Sequence, residues 1–185
     1  MNQSQFRDYC AAGPILLDGA TGTHLQQAGM PTGTSPEMWV IDHPDVLADL
    51  QSSYLQAGCS ILYAFTFGAN RIKLAGHGIS ADRCAAINQQ LARISLDVRD
   101  RWMAARQAPI TAVTEPGRAP NRPVLVAGDL APTGQFLTPA GNLTFDELVD
   151  IYREQAQGLF QAGVDLFVIE RSEERRVGKE CRYRW

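Results

Sequence analysis

The sequence predicts an α/β protein built on a parallel sheet, and three observations lead there. Four short apolar runs, at 14–18, 60–65, 123–129 and 165–170, are nearly continuous in Leu, Ile, Val and Phe rather than alternating, as expected for strands covered on both faces. Between them lie amphipathic helical patterns of 17 to 27 residues, long enough for right-handed crossovers. The resulting order, β-α-β-α-β-α-β, fits an open doubly wound sheet or part of a (β/α)8 TIM-type barrel.

Each element has its own signal. "PILLD" (14–18) is the first strand. In "DHPDVLADLQSSYLQAG", Val46, Leu47, Leu50, Tyr54 and Leu55 share one helical face. Pro44 suits the first turn of that helix, Asp42 or His43 its cap, and Gly58 its end. "SILYAF" (60–65) is the second strand. The next helix places Ile87, Leu91, Ile94, Val98 and Trp102 on one face, with Ser80 as its cap. Residues 108–122 are rich in proline and polar groups and predict an exposed loop before the third strand, "PVLVAGD". Thr144 and Glu147 then form a capping-box pattern ahead of a helix that stops at Gly163. Its apolar face runs through Leu148, Ile151, Tyr152, Gln155 and Leu159. "DLFVIE" (165–170) closes the series.

Composition narrows the function. At 185 residues and 45% hydrophobic content, the chain is long enough for one sizeable core. The net charge of −3 is uneven: residues 171–185 hold six basic and three acidic groups, leaving the preceding 170 residues at −6. An acidic body argues against nucleic-acid binding. No apolar run approaches a membrane span and no secretory signal is legible, which makes a cytoplasmic protein the expectation. Cys10, Cys59, Cys84 and Cys181 are scattered without a CxxC pair, the pattern of buried or semi-buried free thiols.

No G-x-G-x-x-G opens a helix after the first strand. In a barrel the chemistry sits at the C-terminal ends of strands, and the residues at those ends are Asp18, Thr66, Asp129 and Glu170. Around Asp18, Gly19 and Gly22 allow a sharp turn whose amides could cradle a carboxylate, or simply a tight βα turn with a capping Asp. Phe65 and Phe67 flank Thr66, as pocket walls or as core.

Taken together, "LLDGATGTHLQ", "FTFGANRIKL", "GDLAPTG" and "DLFVIE" resemble, in order and spacing, the homocysteine S-methyltransferase family over residues 14–170. The likeness extends to the homocysteine-binding module of cobalamin-dependent methionine synthase and to free-standing relatives. The resemblance implies a (β/α)8 barrel that binds homocysteine at its C-terminal end and holds the thiolate on zinc through three cysteines. Methylcobalamin on a corrinoid module, a sulfonium compound or betaine would serve as methyl donor. It further implies that Asp18 and Glu170 bind the amino group of homocysteine. Gly19, Thr21, Gly22, Thr66 and Phe67 would line the same pocket, and Asn70 would close the second-strand motif. Phe65 departs from the pattern, standing where the family carries Asn or Pro.

The family's zinc cysteines come later than the fourth strand, so no metal ligand is assigned here. "RSEERRVGKEC" resembles a translated sequencing adapter. Residues 1–170 are therefore read as the N-terminal half of the barrel domain, about four βα units, and 171–185 as an artefactual tail. Such a half-barrel is expected to be marginally stable alone and to turn over no homocysteine. A corrinoid-linked methyltransferase for another small acceptor, and a non-catalytic or basic-tailed binding module, remain as alternative readings.

Overall fold

The structure, a computed structural model, describes residues 1–106 and 122–171. The predicted loop lies outside the described residues except for Arg122, and so does the tail beyond Arg171, with Cys181. In chain order the elements are α1 (Gln3–Ala11), α2 (Gly22–Gln27), α3 (Pro36–Asp42), α4 (Pro44–Gln56), β1 (Ile61–Tyr63) and α5 (Arg71–Ala75). A 3-10 turn (Ala81–Arg83) then leads into α6 (Cys84–Arg106), followed by β2 (Leu125–Leu130), α7 (Phe145–Ala162) and β3 (Leu166–Ile169).

The strands form one parallel three-stranded sheet in the order β1-β2-β3. Central β2 is buried along its whole length. The predicted first strand is corrected: 14–18 contributes only an isolated parallel bridge, Leu17 to Ile61, and Leu16 and Leu17 stay 54% and 47% exposed. A parallel strand needs a ladder of slanted bonds on a neighbour. This segment makes only a few, among them Asp18 N–H to Ile61 O at 3.1 Å.

Side-chain alternation divides the sheet into two faces. On the outer face Leu62, Ala64, Val126 and Leu130 pack against Leu55, Ala92, Leu96 and Leu159 of the long helices. Gly128 and Gly158 set how closely α7 can approach. A Cβ on Gly128 would lie 2.9 Å from Leu159 Cδ1, and one on Gly158 would lie 2.7 Å from the Ala85 carbonyl oxygen of α6. The Thr144–Glu147 capping box that starts α7 is present, and Gly163 ends the helix in the left-handed region at φ 93°, where glycine carries no Cβ penalty.

On the inner face, Ile61, Leu125 and Ala127 pack with Ile15, Tyr63, Leu166 and Val168. Among the described residues, α1 covers them there, through Phe6 and Tyr9. The Tyr9 hydroxyl donates to Ser60 O at 3.0 Å and Pro123 O at 3.1 Å, which plugs the N-terminal end of the sheet. Arg122 lies 4.3 Å over the Tyr9 ring and donates to Pro14 O at 2.6 Å. The C-terminal end of the inner face carries the polar groups.

Two caps differ from expectation. His43 precedes α4 without a side-chain cap bond; its ring stacks on Trp39 and its Nδ1 lies 2.9 Å from Trp39 O. Ser80 starts the 3-10 turn rather than α6 and bonds the Asp82 carboxylate. Cys59 and Cys84 are buried free thiols, whereas Cys10 is exposed, against the buried or semi-buried reading.

Candidate functional site

Asp18, Asp129 and Glu170 all lie toward the C-terminal end of the sheet, where the charges of all three act on the Tyr63 hydroxyl. Asp129 follows Leu125 and Ala127 by alternation along β2, and Glu170 follows Leu166 and Val168 along β3. The ladder fixes their level: Asp129 is in register with Val168, and Glu170 N–H donates to Leu130 O at 3.0 Å. Asp18 arrives from the segment beside β1, where its carboxylate accepts the Tyr63 N–H at 2.9 Å.

The electrostatics record this convergence. Burial pushes the Asp18 carboxyl up to about 7, against the pull of the Tyr63 N–H. Asp129 is likewise pushed up to about 7, by burial first and then by the charges of Glu170 and Asp18, with Lys73 opposing. The Tyr63 hydroxyl is raised by burial and by the charges of Glu170, Asp129 and Asp18. Carboxylates that repel one another at partly dry positions favour a proton or a cation among them.

The other predicted site residues occupy distinct places. Gly19 packs under Tyr54, whose hydroxyl oxygen would lie 3.0 Å from an added Cβ; that hydroxyl donates to Ala20 O at 2.9 Å. The Thr21 hydroxyl donates to Gly19 O at 3.2 Å, and Gly22 opens α2 with free space around it. Thr66 is fully buried, and its hydroxyl is engaged with the Asp129 backbone. Phe67 is 39% exposed beneath Lys73, whose Nζ sits 4.2 Å from the ring centroid and donates to Phe67 O at 3.0 Å. Asn70 is fully buried; its Oδ1 caps α5 by accepting Lys73 N–H at 3.1 Å, and its Nδ2 has no partner.

Phe65 packs against the cluster of Leu25, Trp39 and Leu74 rather than the inner face. Glu37 is a residue that sequence reasoning missed: it is 6% exposed, bonded by the Ser35 hydroxyl at 3.1 Å, with its carboxylate pressed on Gly68. The Ser-Pro-Glu string at the start of α3 was the available signal, a cap, a proline and an acid.

The residues do not fit a zinc site of the three-cysteine kind. Among the described residues no group of three or more His, Cys, Asp or Glu is placed to hold a metal ion. Cys59 and Cys84 donate to Ile61 O at 3.0 Å and Ala69 O at 3.3 Å, and burial pushes each thiol up to about 12. A zinc ligand must be a thiolate.

The described residues thus form a three-stranded parallel α/β unit with acidic groups toward the C-terminal ends of its strands. The family model for homocysteine S-methyltransferase matches residues 15–176, and the chain belongs to that family. Among solved structures, the homocysteine methyltransferase MmuM from Escherichia coli in its metallated form aligns at TM-score 0.70 and 21% identity, over 89% of this chain and 56% of that one. Its oxidized form aligns at TM-score 0.63 and 20% identity, over 83% and 51%. The chain thus spans about half the length of these relatives, and at this identity the likeness is one of fold. No helix of the described residues is long and apolar enough to cross a membrane.

Proposed function

We propose that this chain supplies the amino-acid-binding part of a homocysteine S-methyltransferase, which passes a methyl group to the homocysteine sulfur and yields methionine. Residues 1–170 correspond to the first half of a (β/α)8 barrel, and the tail beyond them takes no part. What supports the reading is that the charges of Asp18 and Glu170 both act on the Tyr63 hydroxyl at one end of the sheet, in a chain of this family. Their carboxylates receive the substrate ammonium, and the Gly19–Gly22 turn offers backbone N–H groups to the substrate carboxylate.

Binding both charged ends fixes the direction of the sulfur-bearing arm, a positioning contribution to methyl transfer. Zinc activation of the thiol and a methyl donor such as methylcobalamin on a corrinoid module belong to the whole enzyme. Among the described residues none is suited to hold the metal. The alternative of a different acceptor rested on Phe65 reshaping the pocket, and its packing into the Trp39 cluster gives that reading no support.

Isothermal titration of the 185-residue chain with L-homocysteine and with 4-mercaptobutanoate, which lacks the α-amine, tests the proposal. Saturable binding of homocysteine, at least tenfold tighter than that of 4-mercaptobutanoate, is expected. Equal affinity for the two, or binding of neither, would overturn it.

A further inference from the structure

We propose that Glu37 is a positioning residue for the substrate pocket: its carboxylate seats Gly68 and so fixes the β1–α5 loop that carries Thr66, Phe67 and Asn70. The pocket role rests on the homocysteine reading above; the seat itself does not.

The first observation is the contact. Glu37 stands in the first turn of α3, after the Ser35 cap and Pro36, yet it is buried. An acid at a helix start is ordinarily left in solvent, where the helix dipole favours it. Here the carboxylate covers Gly68 instead. A Cβ on Gly68 would lie 2.8 Å from Glu37 Cδ and 3.1 Å from its Oε2, so glycine leaves the carboxylate its room. The Ser35 hydroxyl donates to Oε2 at 3.1 Å and holds the group in place. Burying a carboxylate is costly, and an apolar side chain would serve mere packing better.

The second observation is that the loop is tied at each residue around this seat. The Thr66 hydroxyl is engaged with the Asp129 backbone, and Gln155 Nε2 donates to Thr66 O at 2.8 Å. Lys73 Nζ donates to Phe67 O at 3.0 Å, Asn88 Nδ2 donates to Ala69 O at 2.7 Å, and Asn70 Oδ1 accepts the Lys73 N–H at 3.1 Å. At Gly68 the restraint is the Glu37 carboxylate. The charges agree with this: burial lowers the Lys73 ammonium, and Glu37 is the foremost charge raising it. An acid from α3 and a base from α5 thus bracket Phe67 and Gly68.

The third observation is place. The loop leaves β1 at the C-terminal end of the sheet, where a rigid scaffold presents functional loops. Phe67 is partly exposed there, and a displaced Gly68 carries Phe67 with it. A pocket wall held before the ligand arrives binds more tightly than one that must be ordered.

The test uses the 185-residue chain with Glu37→Ala, Gly68→Ala, the double variant and Glu37→Gln. Calorimetry is expected to show homocysteine affinity falling at least about fivefold in each of the first two. Both break one contact, so the double variant should lose no more than the weaker single variant. Glu37→Gln keeps a planar group on Gly68 and an acceptor for Ser35, and should stay within about twofold of wild type. Glu37→Asp, one methylene shorter, replaces Glu37→Ala should that variant fail to fold, with the same loss expected. Losses that multiply in the double variant, an equal loss in Glu37→Gln, or a lowered urea midpoint with unchanged affinity would overturn the proposal.

A second arm needs no homocysteine. In chain labelled with 4-fluorophenylalanine, the Phe67 fluorine signal is assigned by its loss in Phe67→Leu. It is expected to move in Glu37→Ala and Gly68→Ala and to stay in place in Glu37→Gln. A stationary signal throughout would overturn the seat, whatever homocysteine does. A signal that moves in a chain whose wild type binds no homocysteine would keep the seat and sink the substrate reading with the pocket role.

Discussion

The Thr66 hydroxyl clasps the backbone of Asp129 twice, donating to its carbonyl at 2.9 Å and accepting its N–H at 3.2 Å. This joins the end of one strand to its neighbour 63 residues later, beyond the last rung of the β1–β2 ladder at Tyr63 and Ala127. Thr66→Val keeps the β-branched shape and removes both bonds, leaving a buried N–H without its partner. Stability is expected to fall by about 1–3 kcal/mol, read as a lower urea midpoint at unchanged slope.

Asp18 and Asp129 give stability a pH dependence of definite sign. Each carboxyl has an ordinary value of 3.8 and is pushed up to about 7 in the folded chain. Between those values the folded state holds more protons than the unfolded state, so stability declines as pH rises. The contribution is complete below about pH 4 and gone above about pH 7. Urea midpoints measured from pH 5 to 8 should therefore drop through that range and level off. Asp18→Asn and Asp129→Asn should each remove part of the slope, and the double variant most of it. A midpoint that climbs with pH over this window contradicts the assignment.

The long elements were legible in the sequence because their signals are local. The apolar faces of α4, α6 and α7 and the Thr144–Glu147 box appear where periodicity and capping place them. The segment 14–18 reads as a strand for its apolar run, but a strand is defined by its partner, and Leu16 and Leu17 face outward. Helix α1 was passed over because its stretch is mostly polar, although Asn2 and Gln5 form a capping box. The places of Asp129 and Glu170 at the ends of β2 and β3 were legible from the apolar runs that precede them. The Oδ1 of Asp129, without a partner among the described residues, was not, since it depends on counting every donor that reaches a buried atom in three dimensions.

Gly158 is the contact point of α6 and α7. An added Cβ there would lie 2.7 Å from Ala85 O and 3.0 Å from Ala85 Cα, both backbone atoms that cannot swing aside. Gly158→Ala gains about 1 kcal/mol of helix propensity. Forcing the helices apart costs about 1–3 kcal/mol and also loosens Leu159 from Val126 and Leu130. A net loss near 1 kcal/mol is expected, seen as a lower thermal midpoint. A stabilised variant would show that the helices separate freely.

The outer edge of β3 is unpaired among the described residues and lies beside exposed apolar side chains. Among the described residues β3 pairs only with β2, while Phe167 and Ile169 are 41% and 66% exposed and Phe160 of α7 is 74% exposed. An open strand edge flanked by large apolar side chains invites pairing with another chain. The 185-residue protein is therefore expected to self-associate in a concentration-dependent way in sedimentation velocity. Ile169→Lys places a charge on the edge strand where the side chain already meets solvent, so folding is preserved and association is suppressed. A strictly monomeric wild type at tens of micromolar, or a variant that associates equally well, would remove the edge as the cause.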